Sequence, residues 1–190
     1  PSRGVNITIN REIPTSRPLR TDREKTPDLM DIGPLTMKII VRGETTLLRV
    51  WDRESIVRKN FNGFKYYPAN PEYCVTAKYI LYNPPKPVKT VDIIGTEAES
   101  VYLGQAQFSL NGINCTLEAE KSGEKVLFHF DDKTKVDTTY GGGRKFSVPI
   151  PQGDEVVLDF NLAENWPCAY TPYATCPVTP IENRLSVRIE

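Results

Sequence analysis

Apolar and polar residues alternate at period two in a series of short runs, the pattern of half-buried β-strands. Val5-Asn6-Ile7-Thr8-Ile9 is the first such run. Leu35 to Val41 and Thr46 to Trp51 flank Arg42-Gly43-Glu44, which predicts a hairpin whose glycine supplies a positive φ. Tyr73 to Tyr82 puts Val75, Ala77, Tyr79 and Leu81 on one face, and Pro84-Pro85 is expected to stop the strand. The strongest local signal is Asn111-Gly112 between Phe108-Ser109-Leu110 and Ile113 to Leu117. Asn-Gly is what a two-residue type I′ turn requires, and it puts Phe108, Leu110, Ile113, Cys115 and Leu117 on a shared face. Lys125 to Phe130, Val156 to Phe160 and Leu185 to Ile189 supply further strands. The expected fold is all-β, an antiparallel β-sandwich or barrel of about ten short strands.

Proline reinforces this reading, with 16 prolines against 12 glycines breaking up any long helix. Asp52 to Asn60 is charged and reads as a linker or a short exposed helix. It divides the chain into residues 1–51, the end of an N-terminal β region whose beginning is expected to be missing, and a main β domain over 52–190. Asn161 to Asn183 is a long loop rich in proline, aromatics and cysteine near the C-terminus, and such loops are usually functional or mobile.

The 24 basic and 24 acidic side chains cancel, so no bulk field draws the chain to nucleic acid or to an anionic membrane. No run approaches the roughly 20 apolar residues of a membrane span. Cys74, Cys115, Cys168 and Cys176 are too few for a disulfide scaffold and lack Cys-x-x-Cys spacing. With His129 the sole histidine, neither a metal site nor a cofactor is expected. The cysteines are compatible with a cytoplasm holding free thiols and with an oxidising space holding one loop-tying bond, and the first is favoured. Asn6-Ile7-Thr8 and Asn114-Cys115-Thr116 match the glycosylation sequon, a signal relevant only in a eukaryotic secretory context.

Asp159-Phe160-Asn161 through Trp166-Pro167-Cys168 and Ala174-Thr175-Cys176-Pro177, followed by Glu182-Asn183-Arg184-Leu185, closely resembles the family called Domain of Unknown Function 1684. Phe61 to Pro68 and Thr139 to Arg144 match in the family's order, so the resemblance covers about residues 50–189. The family has no assigned activity. The region before Trp51 has some likeness to forkhead-associated domains. The sequence departs from the family pattern at Trp166, at Lys135-Val136-Asp137, where the family has a small Ser-Gly turn, and at Thr179-Pro180-Ile181.

The candidate site gathers Tyr140, Arg144, Asp159, Asn161, Cys168, Cys176, Asn183 and Arg184. Read functionally, they form a pocket for a small polar or anionic ligand, with Arg144 as a bidentate fork beside the amides of Gly141-Gly142-Gly143. Read structurally, Asn and Asp cap turns while Arg184 pairs Asp159. Cys168 is a candidate nucleophile with His129 or Asp159, which makes a cysteine-dependent or metal-assisted hydrolase the second reading. Tyr66, Tyr67, Tyr73, Tyr79 and Tyr82 cluster around prolines and suggest an interaction module as the third. Asp131-Asp132 reads as a solvated turn. The oligomeric state is left open.

Overall fold

The computed structural model describes residues 6–190. They divide into two compact units, with the boundary between Lys65 and Tyr66. The first holds one antiparallel sheet in the order β1 (Ile7–Ile9), β2 (Met30–Ile32), β3 (Leu35–Arg42), β4 (Thr45–Asp52). Val5, which opens the first alternating run, lies outside the described residues. The β3–β4 hairpin turns at Gly43, whose φ is +56°, as its sequence predicts. Asp28 is buried in this unit and accepts hydrogen bonds from both Arg17 and Arg20, and from Asn10. These donors, Arg17 first, hold its carboxyl well below the ordinary carboxylate range. The Asp52 to Asn60 segment carries a short exposed helix, α1 (Ile56–Lys59).

The second unit is a seven-stranded antiparallel sheet in the order β10-β5-β6-β7-β8-β9-β11. Its strands are β5 (Cys74–Val91), β6 (Glu97–Leu110), β7 (Ile113–Ser122), β8 (Lys125–Phe130), β9 (Arg144–Pro149), β10 (Glu155–Asp159) and β11 (Glu164–Asn165). β10 and β11 stand at opposite ends of the hydrogen-bonding order, so the fold is all-β without a closed barrel. The β6–β7 turn has φ of +52° at Asn111 and +73° at Gly112, the positive pair that the type I′ turn demands. Phe108 pairs with Cys115 across it, and both are buried on the inner face. That face packs Phe108, Phe128, Phe130, Phe146 and Phe160 into a tilted and edge-to-face cluster with centroids 5.2–5.9 Å apart. Each such pair contributes about 0.5–1.5 kcal/mol beyond its buried area.

Three local expectations are corrected. Pro84-Pro85 does not stop β5, which runs on to Val91 because its register against β6 shifts between Leu81 and Lys86. The shift leaves the prolines unpaired, so their missing N–H groups cost no ladder bond, and it turns Leu81 out to 62% exposure. Leu185 to Ile189 forms no strand. Leu185, Val187 and Ile189 do alternate inward onto the core, but this extended segment exchanges single bonds with the 131–133 loop: Leu185 N to Asp131 O and Lys133 N to Val187 O. Asp131 and Asp132 are buried rather than solvated, since cationic side chains reach both.

Candidate functional site

Four of the expected site residues spend their polar atoms inside the fold. Asp159 caps the turn Phe160–Leu162, accepting from Asn161 N at 3.0 Å and from Asn161 Nδ2 at 2.7 Å. Asn161 in turn grips the backbone of Asn70, accepting from its N at 2.8 Å and donating to its O at 3.0 Å. Asn183 is 1% exposed and imitates a strand: its Oδ1 accepts from Glu118 N, while its Nδ2 donates to Glu118 O and to His129 O. Arg144 pairs with Asp132, donates to Ile189 O at 2.9 Å and lies over the Phe130 ring. Asp132 also accepts from Thr134 N at 2.7 Å.

Arg184 is half exposed and its Nε lies 3.8 Å from Asp131, which takes Lys135 Nζ at 2.6 Å. Its partner is therefore Asp131 rather than Asp159. Both arginines of the expected anion site already face a carboxylate, and Gly143 is committed as well. Its φ is +78°, and a Cβ there would come 2.5 Å from Thr179 Oγ1 and 2.6 Å from Phe130 O. The glycine is required by the close passage of this turn over β8.

Tyr140, Cys168 and Cys176 do come together. Cys168 N donates to Cys176 Sγ at 3.3 Å, across the loop between them. The Tyr140 hydroxyl is hydrogen-bonded to the Cys168 thiol, and that bond, then burial, pushes it up to about 12. Cys176 is buried, Cys168 is half-buried, and no disulfide is formed.

His129 makes its hydrogen bonds away from the thiols. It is 3% exposed, and its Nε2 meets Thr179 Oγ1 at 2.9 Å and Gly142 O at 3.3 Å, while its ring lies edge-on to Trp166 at 4.9 Å. No hydrogen bond joins it to Cys168. The C-terminal loop thus covers the face of β8 opposite Phe128 and Phe130, and His129 is burial-neutralised: desolvation lowers its pKa from 6.5 to about 4. The unfolded chain binds the proton more readily, so stability is complete above the unfolded value and is lost as pH falls from about 6.5 towards 4. The loss reaches about 3 kcal/mol, at 1.36 kcal/mol per pH unit. Urea midpoints measured between pH 7 and pH 4 should show this slope, and a His129→Gln variant should flatten it.

A second polar cluster was not anticipated. Tyr82, Lys86, Tyr102 and Glu118 meet on the face of β5–β7 opposite Leu117 and Ala119. The signal for it was parity along β7: Glu118 and Glu120 alternate with buried apolar residues, yet Glu118 is itself buried at 6%. No group of three or more His, Cys, Asp or Glu suited to a metal ion occurs among the described residues. None of their helices is long and apolar enough to cross a membrane.

The model of the family described as "Protein of unknown function (DUF1684)" matches residues 59–190. The chain belongs to this family. The segment matched contains every thiol, amide and arginine of the candidate site. No curated protein matches the chain. Among solved structures, it is similar to the solution NMR structure of an uncharacterized protein from gene locus rrnAC0354 of Haloarcula marismortui. The two are 27% identical with a TM-score of 0.59, over 70% of this chain and 76% of that one. Trp166 and Thr179 are two of the residues packed against His129. Val136 adopts φ +66°, a strain of about 1–2 kcal/mol for a β-branched residue.

Proposed function

We propose that the domain is a thiol-responsive binding domain in which Cys168 and Cys176 interconvert between dithiol and disulfide and so set the shape of the loop facing Tyr140. The observation that carries this reading is the 3.3 Å bond from Cys168 N to Cys176 Sγ. It puts the Cys176 sulfur beside the Cys168 backbone, on the residue whose side chain would have to meet it. Tyr140 reinforces it, since its hydroxyl lies against both thiols, with Cys168 the main influence on it. Oxidation removes two protons and two electrons from the thiols, forms one S–S bond and passes the electrons to a peroxide, which leaves as water.

On this reading, the small polar ligand expected from the sequence would meet Tyr140 and Cys168. Anion recognition is the less supported version, because Arg144 and Arg184 already pair with Asp132 and Asp131. A Cys168–His129 hydrolase is also less supported, since His129 is bonded to Thr179 and Gly142 instead.

Treatment of the native protein with hydrogen peroxide or an oxidised small-molecule disulfide tests the reading. The expected product has lost two hydrogen masses, yields a Cys168–Cys176 linked peptide after digestion, and reverts with dithiothreitol. Oxidation that stops at sulfinic acid on Cys168, or that links neither cysteine to the other, would overturn the proposal.

A further inference from the structure

The ammonium group of Lys86 sits in a recess that is chemically suited to more than one lysine. Its Nζ lies 5.5 Å from the centroid of the Tyr102 ring and 5.9 Å from that of Tyr82, and 3.2 Å from Glu118 Oε1. Two aromatic faces and a carboxylate around one cation combine ring-quadrupole attraction with a charge-assisted hydrogen bond. The walls are buried and hydrogen-bonded, and the occupant is half exposed. Tyr102 is 2% exposed, and the Glu118 side chain, 8% exposed, is held by the Tyr82 hydroxyl at 2.9 and 3.1 Å. The Glu118 backbone is fixed on both sides by Asn183. The Lys86 side chain, by contrast, is 50% exposed and enters from the end of the stretch where β5 is out of register with β6.

Charge points the same way. Glu120 and Glu182 add their fields to that of Glu118 at Tyr102, whose hydroxyl is raised by burial first and by these carboxylates after it. Tyr82 is likewise pushed up to about 12, so both rings stay neutral and keep their electron-rich faces at any physiological pH. All three carboxylates act on Tyr102, and only Glu118 of them is paired with Lys86.

We propose that Tyr82, Tyr102 and Glu118 form a binding site for an organic ammonium group, a primary or methylated amine, and that Lys86 fills this site in cis as a displaceable occupant. The ligand class follows from the occupant: an alkylammonium places a charge and an apolar stem where Lys86 now places its own. A bare metal cation would lack the apolar stem and would find one carboxylate instead of a coordination shell. The proposal is independent of the thiol loop, because none of the atoms involved belongs to Cys168, Cys176 or Tyr140.

The test follows the tyrosine ring resonances by NMR as tetramethylammonium chloride or n-butylammonium chloride is added, with sodium chloride at equal ionic strength as the control. In a Lys86→Ala variant of the full chain the signals of Tyr82 and Tyr102 should shift saturably with either amine salt. In the unaltered protein, saturation should require at least tenfold more ligand, because Lys86 competes within the molecule. Adding Glu118→Gln to Lys86→Ala should weaken binding by tenfold or more. Lys86→Met, which keeps the apolar stem while losing the charge, serves if the alanine variant does not fold. A folded Lys86 variant whose tyrosine signals move only linearly, and no more than with sodium chloride, would overturn the proposal. Equal affinities in the variant and the unaltered protein would also overturn it, since Lys86 would then not be the occupant.

Discussion

Replacing Asn183 with alanine is expected to cost about 3–5 kcal/mol of stability, read as a lower urea midpoint at unchanged slope. The magnitude comes from counting what is left behind. The side chain serves three buried backbone groups, Glu118 N, Glu118 O and His129 O, on two different strands. Removing it strands one donor and two acceptors where water has little access, at about 1–3 kcal/mol each before relaxation. Asn183→Asp is the informative companion. It keeps the acceptor for Glu118 N but turns a carboxylate towards two carbonyls, so it should be no less destabilising than alanine. A loss below about 1 kcal/mol for either variant would mean that Leu185, Val187 and Ile189 alone hold the C-terminal segment on the core.

Arg144→Met is expected to be nearly as damaging, at about 3–5 kcal/mol, because it leaves the Asp132 carboxylate buried without its cation. The two side chains are 11% and 1% exposed, and the same guanidinium also binds Ile189 O. Adding Asp132→Asn to Arg144→Met should recover part of the loss, and a double-mutant cycle by urea denaturation measures the coupling. If the second change recovers nothing, the penalty lies in the Ile189 contact and the packing of Arg144 over Phe130 rather than in the orphaned charge. An anion-binding Arg144 would behave differently: its removal would be tolerated in stability and felt only in ligand affinity.

These two residues show how far the sequence could be read. Asn183 and Arg144 stand out in it as polar residues inside a dense family motif, and a pocket was the natural expectation. Their partners are backbone atoms and a carboxylate separated from them by 12 to 65 residues, and spacing along the chain carries no record of such contacts. Turn chemistry was legible because it is local, as at Gly43 and Asn111-Gly112. Pro84-Pro85 misled for the same reason: proline's effect on a ladder depends on whether its partner strand is in register, and that is decided by β6. The Leu185 to Ile189 alternation reported burial correctly and pairing wrongly, since alternation demands a buried face but not a neighbouring strand. Lys86 and Glu118 carry no local signal that joins them to Tyr82; only the β5–β6–β7 register brings the three to one place.

The order of the seven-stranded sheet also bears on how the chain reaches this structure. From β5 to β8 each strand pairs with the next across a short turn, so these contacts close at little entropic cost. β10 is the exception: it crosses to the far side of the sheet to pair with β5, with Glu155 opposite Lys78 and Asp159 opposite Cys74. The Asn161–Asn70 and Asn183–Glu118 bonds span similar distances along the chain, 91 and 65 residues. The meander therefore closes at the lower entropic cost, while pairing β10 with β5 joins residues far apart in the chain, as a clasp across the sheet. The thiol pair lies in the segment that follows this late-sequence strand, outside the β5–β8 meander, so a change confined to that loop leaves the consecutive strand pairings untouched.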